Sequence, residues 1–309
     1  MRIDRGSGKF FGIGYRWSAT RLRRLQVKRS TRRTFGTVAL AVSAAALIVA
    51  AGAAAFVWSG VYDVSVTTQH FQAVYRLLEF ATQQSVRRHA RAGPAPPPDL
   101  AQQVARGAVC YRAKCLQCHG AAGVAPGDVG LAMQPLPGPL IDAAARFDAR
   151  ELHWIVRHGL KMSGMPAWRY RLGDADQWAV VAFVQALPDL DPQAQQALLA
   201  GSTAGTCEGP AESAPGAGDA QRGQRALHLH ACSSCHVIPG VVGADVHAGP
   251  PLRGMGRRGL IAGKLAHTPE QMVRWLRDPK SVDPLTAMPA VGIGEQDARD
   301  MAAYLATLD

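Results

Sequence analysis

Two short motifs in this chain combine two thiols with an imidazole at one fixed spacing. They are Cys115-Leu-Gln-Cys-His119 and Cys232-Ser-Ser-Cys-His236. Two thiols about one helical turn apart can add to the two vinyl groups of one haem, and the histidine that follows is then held beneath the iron. The sequence therefore predicts two covalent haem c groups. One is attached through Cys115 and Cys118 with His119 as an iron ligand, and the other through Cys232 and Cys235 with His236.

Other uses of paired cysteines fit these motifs less well. A four-cysteine zinc site has pairs about 15–20 residues apart, whereas the two motifs are offset by 117 residues. A thioredoxin-like redox pair requires a βαβ setting, which the sequence does not indicate. Two structural disulfides would leave both trailing histidines without a role.

A thioether can supply the opposite ligand of each iron. Met165-Pro-Ala167 begins 46 residues after His119, and Met288-Pro-Ala290 begins 52 residues after His236. A neutral, soft thioether favours Fe(II) and raises the potential. The repetition of the tripeptide favours Met165 and Met288, with Met162 and Met255 as the respective rivals.

The repetition extends to the end of each segment. The offset is 117 residues at the haem motifs, 123 at Met-Pro-Ala and 121 at two helical stripes with i, i+3, i+4, i+7 spacing. Such small drifts indicate one unit duplicated with unequal loops. The stripes consist of Val180, Phe183, Val184 and Leu187 in the first unit and of Met301, Tyr304, Leu305 and Leu308 in the second.

Helix boundaries are clearly marked, and strands are not. Asp148 with Glu151 and Thr268 with Gln271 have the spacing of capping boxes, and Gly159 is a typical C-terminal stop. No run has convincing strand alternation. The predicted fold after the N-terminal region is all-α.

The N-terminal region accounts for nearly all of the charge. Residues 1–33 contain eleven Lys or Arg and one acid, so this tail carries +10 of the formal net charge of +11. The rest is nearly neutral, which argues against a nucleic-acid-binding domain. Residues 34–62 have no charged side chain and are long enough to span a membrane with the basic side in the cytoplasm. A cleaved signal peptide with a site near residues 51–55 is the alternative.

Composition then divides the remaining chain. Residues 63–98 form a predicted stalk and Pro-rich spacer, in which Val74, Leu77 and Leu78 belong to a helical stripe expected to pack as a connector, with a partner-docking helix as the alternative. Residues 189–216 form a predicted linker with four acids and no Lys or Arg. The haem domains are predicted at 99–188 and 217–309.

The two units resemble class I cytochromes c. The first, with His153-Trp-Ile-Val-Arg-His-Gly159 and Gly164-Met-Pro-Ala-Trp168, is similar to small membrane-tethered cytochrome c units of respiratory complexes. The second, with Gly249-Pro-Pro-Leu252 and Met288-Pro289, is similar to the cytochrome c domain of caa3-type oxidase subunit II, although the copper domain of that family is missing. This resemblance implies that Pro250 packs by the proximal histidine and that Arg258 and Trp275 reach the haem propionates.

These features predict a membrane-anchored electron carrier with its haem domains on the periplasmic side, rather than an enzyme. The expected partner is a terminal oxidase or another respiratory complex. The alternatives are the electron-accepting subunit of a periplasmic dehydrogenase and, with two intact methionine sites against it, a dihaem peroxidase. Cys110 and Cys207 remain, and either a disulfide between them or two unrelated thiols would fit.

Overall fold

The N-terminal region forms a long apolar helix. The computed structural model describes residues 19–201, 207 and 214–309, with side chains from residue 34 onward, so the predicted basic tail lies outside the described side chains. Helix α1 (Ala19–Ser59) contains Thr34–Ser59, which is 26 residues long and apolar enough to cross a membrane. None of this stretch is buried by other parts of the described structure. This helix indicates a single-pass membrane anchor.

The chain divides into two compact units. Residues up to His70 form one unit, and Phe71–Asp309 form the other. The described part of the first unit contains α1, and the second unit is built from helices joined by turns and loops. The helices of the second unit are α2 (Gln72–Ala90), α3 (Val104–Lys114), α4 (Leu116–His119), α5 (Asp128–Ala132), α6 (Ala143–Arg146), α7 (Ala149–His158), α8 (Asp174–Ala186), α9 (Pro192–Gly201), α10 (Ala220–Leu229), α11 (Pro269–Arg277), α12 (Pro279–Val282) and α13 (Glu295–Leu305). Turns of 3-10 helix lie at Leu100–Gln103, Leu140–Asp142, Trp168–Tyr170, Leu187–Asp189, Cys232–Ser234 and Met255–Arg257.

A close helix crossing forms the centre of each predicted domain. In the first, α3 crosses α8 at Gly107, where a Cβ would lie 1.9 Å from the carbonyl oxygen of Ala179. In the second, α10 crosses α13 at Gly223, where a Cβ would lie 1.9 Å from the carbonyl oxygen of Asp300. Only glycine permits these approaches, because any side chain would clash with the facing backbone.

An arginine precedes each of these glycines and binds an acid on the last helix of its domain. Arg106 Nε lies 2.5 Å from Asp176 Oδ1, and Arg222 Nε lies 2.7 Å from Asp300 Oδ2. Both carboxylates are almost fully buried, so each needs a charged partner. The predicted apolar stripes lie beside these crossings, and their residues are buried apart from the half-buried Tyr304.

The all-α prediction is confirmed, with 58% helix and 2% strand. The strand residues are a hairpin that the sequence did not predict, in which β1 (Leu260–Ile261) pairs antiparallel with β2 (Leu265–Ala266). Two residues per strand are too few to produce a recognisable alternation of apolar and polar side chains.

Two connecting segments differ from their sequence-based description. The stripe of the predicted stalk does not pack as a connector: Leu77 is 66% exposed and Leu78 52% exposed, and α2 contacts its domain through Val86 and Ala90 instead. Within the predicted linker, residues 192–201 form α9. Its Leu199 is buried in the first core, and Gln195 accepts a hydrogen bond from the backbone of Ala122.

The predicted helix caps are present in part. Asp148 and Glu151 form a full capping box, and Gly159 ends α7 with φ +66°. Thr268 accepts a hydrogen bond from the Gln271 N–H, but the Gln271 side-chain oxygen is buried without a described partner. The second prediction is therefore half right, since the reciprocal bond of the box is not made.

Candidate functional site

The two histidines of the Cys-x-x-Cys-His motifs are held in the same way. The His119 ring Nδ1 lies 2.9 Å from the carbonyl oxygen of Gly138, and the His236 Nδ1 lies 2.8 Å from that of Pro250. Because a carbonyl oxygen only accepts, Nδ1 must carry the proton in both rings. Each Nε2 is then an unprotonated donor for a metal, which is the usual arrangement of a ligating histidine.

The four motif cysteines remain thiols. Cys115 is buried at the end of α3, and Cys118 lies in the single turn of α4. Cys232 begins a 3-10 turn, with Cys235 directly after it. Burial raises the pKa of the Cys115 thiol to about 12 and that of Cys232 to about 11. Neither pair has closed into a disulfide, so all four sulfurs are available for thioether bonds.

The loops around Met165 and Met288 share a hydrogen bond. The Met165 N–H donates to Ser163 Oγ at 3.2 Å, and the Met288 N–H donates to Thr286 Oγ1 at 3.2 Å. In each loop the hydroxyl lies two residues before the methionine, which fixes the backbone where the thioether leaves it. This bond accompanies the duplicated Met-Pro-Ala and gives the two methionines the same local geometry.

The rival methionines lie in different surroundings. Met162 is 97% exposed with φ +59°, and Met255 is buried in the core of the second domain. Met165 and Met288 are both half-buried. Sequence reasoning overlooked a third neighbour, Met133, whose Cε would lie 2.4 Å from a Cβ at Gly164. A test of iron ligation in the first domain therefore needs a Met133 variant as a control.

Several supporting residues were also missed. Gly138, Ser163 and Thr286 hold the candidate ligands, yet a glycine or a hydroxyl in a loop gives little signal alone. Pro137-Gly138-Pro139 could have been found by comparison with Gly249-Pro-Pro251, since both strings follow a haem motif. In the second string the backbone touches the ring, because a Cβ at Gly249 would lie 2.5 Å from His236 Cε1.

The three residues expected in the second haem environment lie in or beside the second core. The Pro250 carbonyl holds His236, as described above. Arg258 is half-buried, and its Nη2 donates to the carbonyl oxygen of Pro251 at 2.8 Å. Trp275 projects from α11 and packs against the second core. Arg258 and Pro250 therefore stabilise one loop, and Trp275 lies on a separate helix.

Two buried histidines and the two remaining cysteines have structural partners. His153 is buried and stacks on Trp178, with ring centroids 3.9 Å apart, and His230 Nε2 lies 2.9 Å from Asp297 Oδ2. Cys110 and Cys207 form a disulfide with a Cα–Cα distance of 5.0 Å. The bond joins α3 to the segment that follows α9, so it closes the first domain at its C-terminal end.

Comparison with known proteins accounts for both domains. Residues 102–184 match the family described as cytochrome c oxidase, cbb3-type, subunit III, and residues 220–309 match the cytochrome c family. The chain contains two class I cytochrome c domains in tandem. Such domains carry haem c and transfer electrons.

A curated relative of this cytochrome is the cytochrome c oxidase subunit 2 of Alkalihalophilus pseudofirmus. It is 34% identical over 90 residues, which is 29% of this chain and 25% of the relative. The cytochrome therefore spans about a quarter of the length of that relative. Haem c fits the donor set described above, since each domain offers a thiol pair, an imidazole with a free Nε2 and a half-buried thioether.

The two domains of the cytochrome touch close to both candidate sites. The Tyr170 ring meets the His230 ring edge-on, with centroids 5.3 Å apart. Arg171 donates to the carbonyl oxygen of Gly292 at 3.4 Å. Tyr170 lies five residues after Met165, and His230 lies two residues before Cys232. The methionine side of the first domain thus contacts the attachment motif of the second.

Proposed function

We propose that this cytochrome carries single electrons through two covalently bound haem c groups, one in each domain at 99–188 and 217–309. The observation that carries the proposal is the matched pair of histidines, each with Nδ1 bonded to a backbone carbonyl and Nε2 left for iron. Cys115 with Cys118 and Cys232 with Cys235 would hold the two haems through thioether bonds.

His119 with Met165 would hold the iron of the first haem, and His236 with Met288 that of the second. The haem iron supplies a one-electron Fe(III)/Fe(II) couple, and a thioether ligand raises its potential. The chain keeps the ligands in place: Gly138 and Pro250 orient the imidazoles, and Ser163 and Thr286 fix the methionine loops. Arg258 and Trp275 supply the environment of the second haem.

The chain is proposed to lie in the inner membrane with both haem domains on the periplasmic side. The basic tail, residues 1–33, precedes the apolar helix and favours a cytoplasmic N-terminus. A single crossing then brings the rest of the chain to the opposite side. Anchoring raises the effective concentration of the haem domains near a membrane-bound partner without requiring tight binding.

The proposed partner is a terminal oxidase that accepts the electrons. The family matched by the first domain and the curated relative of the chain both bear the name of a cytochrome c oxidase subunit. Methionine ligation in both domains suits the high-potential end of a respiratory chain. The contact between Tyr170 and His230 offers a short route from one domain to the other.

The test measures electron flow in membranes from a strain that lacks the gene, complemented with the wild type or with the pair Cys232→Ala and Cys235→Ala. Oxygen uptake with an artificial electron donor and dye reduction by periplasmic dehydrogenases are recorded together. Loss of oxygen uptake with intact dye reduction is expected, and quantifying the oxidase by immunoblot controls for failed assembly.

Unchanged oxygen uptake with the artificial donor, together with loss of one dehydrogenase's electron transfer, would instead identify the dehydrogenase subunit. Loss of peroxide consumption alone would identify a peroxidase.

A further inference from the structure

Helix α2 has two halves with different surroundings. Its second half packs on the first cytochrome domain: Val86 and Ala90 are 1% exposed, and the His89 ring stacks on Trp154 of α7 at 5.7 Å. In the first half, Glu79 accepts a hydrogen bond from Arg146 of α6 at 3.2 Å. These contacts fix the rotation of the helix relative to the domain.

The other side of the first half is apolar and exposed. Phe71 is 83% exposed, Leu77 66% and Leu78 52%, and Val74 and Tyr75 lie on the same side. At 100° per residue the four members within α2 (Val74, Tyr75, Leu77 and Leu78) occupy about 160° of the helix surface, and Phe71 directly precedes the helix. The side that carries Val86 and Glu79 begins next to Tyr75. No Asp, Glu, Lys or Arg lies within this stripe. The stripe therefore stays exposed to solvent although α2 packs on the first cytochrome domain.

The surroundings in sequence indicate what covers the stripe. Only residues 60–70 separate its first member, Phe71, from Ser59, where the candidate membrane span ends. The stripe combines aliphatic side chains with Phe71 and Tyr75, which is the composition of helices that lie at a membrane–water interface. The acid of this half is turned to the protein, so no carboxylate would have to enter the lipid.

We infer that Phe71 and the first half of α2, up to Phe80, lie in the lipid–water interface of the membrane that Thr34–Ser59 crosses. Its apolar stripe enters the boundary between headgroups and acyl chains. The second half stays with the first cytochrome domain and holds that domain at the membrane surface. The helix thus restricts the orientation of the domain, which a single flexible tether would leave free.

A nitroxide at residue 77 tests the position of the stripe. The full chain is reconstituted into lipid nanodiscs with Leu77→Cys or Gln84→Cys. Gln84 is the matched control because it is also exposed, and it lies two turns further along the same side of the helix, about 10 Å away. The six native cysteines are occupied by haem or disulfide if the proposed function is right. If the nitroxide labels the chain without an added cysteine, a native thiol is free, and the proposed function fails independently of where α2 lies.

The expected result is that the label at residue 77 is reached by oxygen and shielded from a water-soluble nickel chelate, whereas the label at residue 84 is open to the chelate. Equal chelate access at the two positions would overturn the inference. Shielding of residue 77 from both quenchers would also overturn it, because a protein surface would then cover the stripe.

Trypsin provides a second measurement that needs no label. Cleavage after Arg76 should be much slower in nanodiscs than in a detergent solution of the same chain, and cleavage after Arg91 should change little. In the double variant L77D/L78D, whose side chains are exposed and outside the core, the protection at Arg76 should disappear while the anchor still holds the chain in the disc. Retention of protection in that variant would contradict insertion of the stripe.

Discussion

In both cytochrome domains a tyrosine hydroxyl bonds the backbone just after the histidine of the Cys-x-x-Cys-His motif, but the tyrosine comes from a different helix in each domain. In the first domain Tyr111 of α3 donates its hydroxyl to the carbonyl oxygen of Gly120 at 2.7 Å. In the second, Tyr304 of α13 donates to that of Pro239 at 2.6 Å. When the crossing glycines Gly107 and Gly223 are aligned, Tyr111 corresponds to Leu227. By the offset of 121 between the last helices, Tyr304 corresponds to Phe183. Both domains therefore make this tyrosine hydrogen bond, but the tyrosine lies on the first helix of the crossing in one domain and on the last helix in the other.

The periphery differs much more than the centre. The first domain adds α9, the Cys110–Cys207 disulfide and the stack of His153 on Trp178. The second has the β1–β2 hairpin and, among the described residues, no disulfide. Both retain the glycine crossing, the arginine–carboxylate pair and the hydroxyl two residues before the methionine. The duplicated parts are those around the proposed iron ligands, so we expect the added parts to affect the stability of one domain only.

The largest effect is expected from removing one attachment motif. C115A/C118A should leave one covalent haem per chain on the second domain, and C232A/C235A should leave one on the first, because each thiol pair serves a single haem. Haem-to-protein ratios measured after denaturation, with the wild type at two, check this. Two haems retained in either double variant would show that the domains are not equivalent haem sites.

Exchanging a methionine should change one haem and spare the other. Met165→His or Met288→His should abolish one sulfur-to-iron band at the red end of the oxidised spectrum. It should also lower one potential by a sizeable part of the ~0.8 V range that axial ligands span. Spectroelectrochemical titration resolves the two haems. Met162→His and Met133→Leu are the controls and should leave both potentials near the wild-type values. A large drop in Met162→His or Met133→Leu would move the ligand assignment in the first domain.

Loss of the disulfide should separate the stabilities of the two domains. Cys110→Ala with Cys207→Ala opens a cross-link between residues 97 apart and should cost about 2–4 kcal/mol of unfolding free energy in the first domain. Amide hydrogen exchange should accelerate in α3 and α8 and stay unchanged in α10 and α13. Equal acceleration in both domains would mean that they unfold as one cooperative unit.

Much of the fold and the site could be predicted because it rests on strict spacing. The haem motifs, the Met-Pro-Ala pair and the stripes of the last helices depend on local periodicity, which a single sequence displays. Gly107 and Gly223 could not be singled out, because the carbonyls that exclude a Cβ there lie on a helix about 70 residues or more away in sequence. The Cys110–Cys207 bond and the partner of His119 likewise depend on where distant segments meet. The exposed stripe of α2 was misjudged because periodicity reveals an apolar face and leaves open what covers it.

The smallest effect concerns pH and again distinguishes the first domain. Burial lowers the pKa of His153 to about 4, the carboxylate of Asp174 works against this shift, and Arg157 and His158 add to it. In the unfolded chain a histidine has a pKa of about 6.5. Between those two values the unfolded chain binds a proton that the folded domain does not. The stability of the first domain should therefore be complete above about pH 6.5 and decline as the pH falls toward about 4.

Replacing the imidazole by an uncharged ring isolates this contribution. In His153→Phe the stack on Trp178 can persist without a titrating group, so the decline between about pH 6.5 and about 4 should be reduced. In Asp174→Asn the decline should continue to a lower pH, because the carboxylate that opposes the lowering of the His153 pKa is gone. The measurement is amide exchange in α7 and α8, corrected for the pH dependence of intrinsic exchange, with α10 and α13 as an internal reference. An identical decline in wild type and His153→Phe would show that other groups govern the acid sensitivity, and the stack would then be a packing contact without a role in the difference between the domains.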